Sequence, residues 1–224
     1  FEDKNVAAVQ GAYKTRQKEL IARFAQEEIE QRYDKIRKSK KLDWVGSYSA
    51  AYRKKIFDQE TGFDESFPIA SGEDPDLSFR VAKKGHKIVF NDKAIVYHTH
   101  PDTLAKYLKT KFFRAYYRIL LYKKHPDKTI ADSYTPAILK IRLGVMVFLL
   151  ISGLVFLTAL FNPSLLLMFL IAEIIFLIVT SIPFALKALQ KNFFVGILSP
   201  IFLFLRDFVF ILGLGAGTLK SVVK

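Results

Sequence analysis

The sequence has no cysteine. That excludes disulfide frameworks, thiolate zinc sites and cysteine nucleophiles, and is compatible with a reducing compartment. None of its 11 glycines stands in the strand-loop-helix context of a Walker or Rossmann phosphate loop. Its long apolar runs lie too far from Phe1 to be read as a signal peptide. Negative charge is scarce in one region only: residues 138–224 hold 2 Asp and Glu against 7 Lys and Arg, while residues 1–137 hold 19 against 27.

That second region has apolar length instead. Leu143 to Phe161 is a run of 19 residues without formal charge, about enough at ~1.5 Å per residue for a bilayer core of ~30 Å. Three hydrophobic helices are expected, at 139–161, 164–186 and 193–218, in a transmembrane region 138–224. Lys140 and Arg142 precede the first and Lys187 and Lys191 follow the second, so the positive-inside rule puts both ends of that hairpin in the cytoplasm. Pro200 and Arg206-Asp207 interrupt the third, which is expected to be re-entrant or to dip from the interface. Glu173, Arg206 and Asp207 are costly in lipid unless paired, and pairing between helices is preferred to a lipid phosphate at Arg206.

The first part alternates short apolar runs with charged stretches. Val6 to Gln10 reads as a strand stopped by Gly11. Thr15 suits the N-cap of an amphipathic helix reaching Lys38, with Leu20, Ile21, Phe24, Ile29, Tyr33 and Ile36 inward. Trp44 to Ser49 reads as a strand and Ala50 to Phe57 as a short helix. In Gly72-Glu73-Asp74-Pro75-Asp76-Leu77, Asp74 suits an N-cap and Pro75 the first helical position, and Gly85 suits the stop. Asp76 and Arg80, four apart, form an intrahelical ion pair. Two strands follow, at 88–90 and 94–98.

Residues 102–137 form a basic amphipathic helix and linker. Leu104, Leu108, Phe112, Ala115, Ile119 and Tyr122 lie on one arc, and Lys106, Lys111, Arg114, Arg118 and Lys124 on the other. The pattern suits an anionic membrane surface. The net charge of +13 is thereby assigned to anionic membrane lipids and not to nucleic acid.

Gly62-Phe63-Asp64-Glu65, then the acidic run Gly72 to Arg80, then Gly85-His86-Lys87-Ile88-Val89-Phe90 and Ala94-Ile95-Val96-Tyr97-His98 come in an order of turn, acidic loop, helix and strands. This order closely resembles the acceptor half of the inverting glycosyltransferase family 2, over about residues 1–135. The resemblance implies an α/β partial GT-A (Rossmann-like) domain at 1–101, followed by the all-α membrane region. It implies that the chain is a fragment whose nucleotide-binding half precedes Phe1, with an Asp-x-Asp motif holding Mg²⁺ or Mn²⁺, so that the segment alone is expected to be inactive.

By the same resemblance Glu73-Asp74 matches the family's acidic pair and Asp74 is the catalytic base. A sugar hydroxyl is a poor nucleophile until a base takes its proton. Glu73, Arg53, Lys54, Arg114 and Arg118 are acceptor-binding or supporting residues, and His98 is a donor-phosphate or metal contact. His98 and His100, two apart on an extended segment, share a face. The Gln-x-x-Arg-Trp signature of processive synthases is absent from the basic helix, which implies a single transfer. The expected partners are a nucleotide-sugar donor, a lipid-linked or cell-surface glycan acceptor, and anionic lipids, at the cell membrane, in a multi-pass protein with its catalytic domain in the cytoplasm. The rival is a non-enzymatic membrane scaffold subunit whose basic helix binds lipid.

Overall fold

The computed structural model of the chain describes residues 1–68, 70–157 and 162–222. The first part is a small mixed sheet with helices and the second is helical. Strand β1 (Val6–Lys14) is central, antiparallel to β2 (Ala50–Tyr52) and parallel to β3 (Lys87–Tyr97). Its Ala7, Ala8, Ala12 and Tyr13 are buried in one cluster with Ile29, Tyr33 and Ile36 of α1 (Leu20–Lys38) and with Leu77 and Val81 of α3 (Glu73–Lys83).

Several local expectations are corrected here. Gly11 does not stop β1: the strand runs through it, paired with Asn91 of β3, and glycine is needed there because a Cβ would collide with Ser49 Oγ and the Ala94 carbonyl. The strands at 88–90 and 94–98 are one, with a bulge where Gly11 pairs with Asn91 and Ala12 with Ile95. Trp44 to Ser49 is not a strand; Ser47–Ser49 form a short 3-10 turn, Ala50–Tyr52 become β2, and helix α2 (Lys54–Gln59) starts later. Pairing with β1, extended by Arg53 N–H to Ala7 O at 2.8 Å, overrides local helical preference.

Thr15 does not cap α1, which begins at Leu20; its Oγ1 accepts from Gln17 N–H at 3.2 Å in a local turn. Helix α3 is preceded by Gly72, so Asp74 is not its N-cap. Pro75 falls third in the helix, where its missing N–H would have had no intrahelical acceptor. Gly85, at φ 84°, ends it with two reverse bonds, Gly85 N–H to Ala82 O and His86 N–H to Val81 O.

The second part contains α4 (Leu104–Lys124), α5 (Ala137–Leu157), α6 (Pro163–Val179), α7 (Ile182–Leu189) and α8 (Phe193–Val222). Three helical stretches are long and apolar enough to cross a membrane: Ala137–Phe156, Ser164–Leu189 with a break at Thr180-Ser181, and Phe193–Ser221. Residues 158–161 of the first expected span lie outside the described residues. Exposed apolar side chains cover α5 and α6, among them Phe148, Leu154, Met168 and Phe169.

Helix α8 is continuous through Pro200 and its two charges. Pairing offsets their cost. Arg206 donates to Glu28 of α1 at 2.9 Å and to Asp207 at 2.6 Å, and Asp207 accepts from Arg142 of α5 at 2.8 Å. Arg142 in turn donates to Leu177 O at 2.5 Å and Thr180 Oγ1 at 2.8 Å at the end of α6. One hydrogen-bonded chain of charges therefore joins the globular part to three membrane-region helices. Glu173 accepts from Ser152 Oγ of α5 at 3.3 Å.

Helix α4 does not lie alone. It runs lengthwise along α8: Tyr107 shares a cluster with Phe24, Phe202 and Leu203, and Lys123 Nζ donates to Ser221 O at 3.2 Å. Gly213 and Gly217 let the two backbones close, since a Cβ at either would strike the carbonyl of Phe112 or Tyr116. Lys111, expected on the outer basic arc, is buried and donates to Glu28 Oε2 at 2.8 Å.

Candidate active site

The chemistry-bearing residues of the first part meet at the start of α3. Three carboxylates in its first turn, Glu73, Asp74 and Asp76, favour the positive end of the helix. Each has a different task. Glu73 Oε2 turns back to accept the N–H groups of Ser71 and Gly72 at 2.8 and 2.9 Å, closing the loop before the helix. Asp76 is buried: its Oδ2 accepts from Arg80 Nε at 3.0 Å and its Oδ1 lies 2.8 Å from His125 Nε2. Arg80 also donates to the carbonyls of Glu60 and Gly62. The Asp76–Arg80 pair is thus a buried joint between α3, the turn before it and the end of α4.

Asp74 faces another way. Its Oδ2 accepts from Ser47 N–H at 2.9 Å and Ser47 Oγ at 3.0 Å, while Oδ1 is closed to solvent and has no hydrogen-bond partner. Burial raises its pKa above the usual carboxylate value, the two Ser47 donors pull it back, Glu73 raises it and the Arg114 charge lowers it. Ser47 is placed by Gln10 of β1. The buried Gln10 amide donates to Ser49 O at 3.2 Å and accepts from Gly46 N–H, which fixes the turn carrying Ser47.

Arg114 of α4 is exposed and makes no hydrogen bond or ion pair among the described residues. Its charge acts on Asp74, His98, His100 and Tyr13 at once. The His98 ring lies 5.1 Å from that of Tyr13 and 5.6 Å from that of His100. Burial first and Arg114 second lower the His98 pKa, so the neutral imidazole is favoured at neutral pH. His100 is buried, its Nε2 2.9 Å from Gln26 Oε1, and its pKa is pushed down to about 4. The fold therefore brings Asp74, Arg114 and His98 into one electrostatic neighbourhood from α3, α4 and the end of β3.

The remaining sequence candidates point elsewhere. Arg53 donates to the carbonyls of Val6, Phe1 and Asp3 at 2.6, 2.9 and 2.8 Å, tying down the chain before β1. Lys54 pairs with Asp58 on the surface at 2.7 Å. Arg118 lies over the Tyr122 ring at 5.8 Å and acts on Asp132. Among the described residues no three His, Asp or Glu side chains group closely enough to hold a metal ion. The resemblance places the ligands of its divalent cation outside this chain, so these residues do not bear on it.

Two positioning groups escape a sequence reading. Gln10 gives no signal inside a buried strand. Glu28 gives one, since it stands four residues after Phe24 on the buried stripe of α1, where a carboxylate needs a partner.

Comparison with known proteins bears on this geometry. The model of the family described as "Glycosyl transferase family group 2" matches residues 1–205. Two curated proteins named pre-mycofactocin glycosyltransferase, from two strains of Mycobacterium tuberculosis, are each 32% identical over 88 residues. The match covers 39% of this chain and 18% of each relative, so the chain matches less than a fifth of their length.

Proposed function

The chain belongs to glycosyl transferase family group 2, and on that premise we propose that it is part of a membrane-attached inverting enzyme. The enzyme moves one sugar from a nucleotide donor to a lipid-linked or cell-surface glycan acceptor. Asp74 takes the acceptor hydroxyl's proton, Arg114 stands ready for acceptor or phosphate charge, and His98 feels the same Arg114 charge. What supports the reading is the Asp74 carboxyl: Oδ2 is anchored by Ser47, Oδ1 has no hydrogen-bond donor but is closed to solvent, so that acceptor binding has to uncover it, and burial raises its basicity. No step proposed here runs through a divalent cation.

In chemical terms, the acceptor O–H bond breaks as its oxygen bonds to the sugar's anomeric carbon. The proton passes to Asp74 and the nucleoside diphosphate leaves with the bonding electrons. Asp74→Asn in the full-length protein removes the proton acceptor and tests the assignment directly.

A milder substitution tests the electrostatics. Ser47→Ala removes the hydroxyl donor and keeps the backbone one, so the Asp74 pKa rises further. Carboxylate is then lost at higher pH as the solution is acidified. The acid limb of the pH–rate profile is expected to move upward in pH, with the plateau rate changed less than tenfold. An unmoved limb would contradict Asp74 as the titrating base.

We further propose that α5 and α6 cross the membrane as a hairpin while α4 and α8 lie along its cytoplasmic face. Lys106, Lys109, Arg114, Arg118, Lys123 and Lys124 accompany α8 along its length, and burying such charges costs about 2.5–3.5 kcal/mol each on insertion scales. This chain has no cysteine, so in a full-length protein whose other cysteines, where present, are replaced, single cysteines report the sidedness cleanly. Asn162→Cys is expected to react with an impermeant thiol reagent from outside intact cells, and Ser221→Cys only after permeabilisation. Outside labelling of Ser221→Cys would mean that α8 crosses.

A further inference from the structure

A cavity of about 580 Å³ lies between α1 and the membrane-region helices, and its lining does not include Asp74, Arg114 or His98. Its walls are Pro136, Ile138, Leu139, Phe184 and Leu203, among others. Five cations also line it, Arg32, Lys35, Arg142, Lys187 and Arg206, against the one carboxylate of Glu28. We propose that this cavity binds the phosphate headgroup of an anionic membrane phospholipid, with an acyl chain along the apolar wall.

Most of these cations have partners and define the rim. Arg206 is held by Glu28 and Asp207, and Lys187 by Asp34 at 3.0 Å. Lys35 Nζ donates to the carbonyls of Asp132 and Thr135, both at 2.5 Å, which leaves its charge without a contacting carboxylate. Arg32 stacks over the Tyr134 ring at 4.8 Å and has no ion pair among the described residues.

Arg142 decides the chemistry. It is 2% exposed, its Nε and Nη1 are bonded to Asp207, Leu177 O and Thr180 Oγ1, and its Nη2 is buried with no partner. An unpaired guanidinium N–H in a low-dielectric wall is expensive, and a phosphate oxygen is the acceptor that a planar guanidinium fits best.

Depth selects a lipid over a free anion. Arg142 stands five residues after the start of α5, roughly 7.5 Å along it, and Thr180 follows the end of α6. Both mark the globular side of the hairpin, the level at which headgroups meet acyl chains. The predominantly apolar lining of the cavity has no use for inorganic phosphate but matches a chain.

The test uses delipidated, full-length protein in a neutral detergent, titrated with short-chain phosphatidylglycerol, phosphatidylcholine of equal chain length, or inorganic phosphate. Phosphatidylglycerol alone is expected to bind saturably and to raise the thermal midpoint. In Arg142→Lys and in Arg32→Gln its affinity should fall about tenfold or more, the loss of one charge-assisted contact. Should Arg142→Lys not fold, Arg32→Gln, which breaks no ion pair, carries the test. Equal binding of phosphatidylcholine, equal stabilisation by inorganic phosphate, or unchanged phosphatidylglycerol affinity in Arg32→Gln would each overturn the assignment. Binding is read without sugar transfer, so the outcome is independent of Asp74 chemistry.

Discussion

Asp74→Asn in the full-length protein is expected to lower sugar transfer by roughly 10²–10⁴-fold, the usual contribution of a positioned general base, with binding of the nucleotide sugar unchanged. Asparagine has nearly the same shape. Its amide oxygen can keep both Ser47 donors, now held at 2.9 and 3.0 Å, so the turn before β2 and the start of α3 should keep their relation. What is lost is a proton acceptor at an atom that meets no other donor in this chain. A thermal midpoint close to wild type would confirm that the loss is chemical. Wild-type turnover in this variant would remove the mechanism and favour a scaffold role, in which the acidic loop only docks a partner.

The second large effect is expected at Glu28→Gln, where stability should drop by about 3 kcal/mol at neutral pH, as when one member of a buried ion pair is removed. Glu28 holds three groups together: Lys111 at 2.8 Å, Tyr107 Oη at 2.7 Å and Arg206 at 2.9 Å. It is how α1 and α4 grip α8. Although burial opposes it, the charges of Lys111 and Arg206 hold the Glu28 pKa far below its ordinary value. Burial depresses Lys111 to about 7, with Glu28 pulling the other way.

The pH dependence follows from these directions. Without Glu28, Lys111 loses the charge that keeps it protonated, so folded variant protein sheds this proton where folded wild type retains it, below about pH 7. The unfolded chain binds that proton in both cases. The variant's deficit should therefore grow as pH falls from about 7 towards 4.5, the ordinary Glu value, by at most about 1.4 kcal/mol per unit. Below that it levels off, because unfolded wild type then gains a proton at Glu28 that its folded state refuses. Urea denaturation of the detergent-solubilised protein across this range measures it. A deficit under about 1 kcal/mol, flat with pH, would show that the cluster is a surface-like pair with little role in holding α8.

Much of the site was legible because its parts are local. Glu73, Asp74 and Asp76 are neighbours in sequence, the Asp76–Arg80 pair follows from helical spacing, and Gly85 marks a stop that any L side chain would strain. The mistaken elements share a cause. Ala50–Tyr52 looks helical in isolation and becomes a strand because β1 offers an edge 40 residues away. Gly11 looks like a terminator and is instead a point where Ser49 and Ala94 come too close for a Cβ. Asp74 looks like a cap for its own helix, yet its carboxylate reaches across to Ser47. In each case a partner distant in sequence outweighs local preference.

Composition and periodicity by themselves determined the division into a charged α/β part and an apolar helical part, because burial and bilayer length are written into runs and repeats. Only the tertiary structure decided which charges are buried and with whom. Glu28, Arg206, Asp207 and Arg142 form one chain across three helices, and the Arg114 charge acts on Asp74 and His98 from a third element. An ionisable side chain's role depends on the neighbours that replace its water, and those neighbours are assembled by the fold.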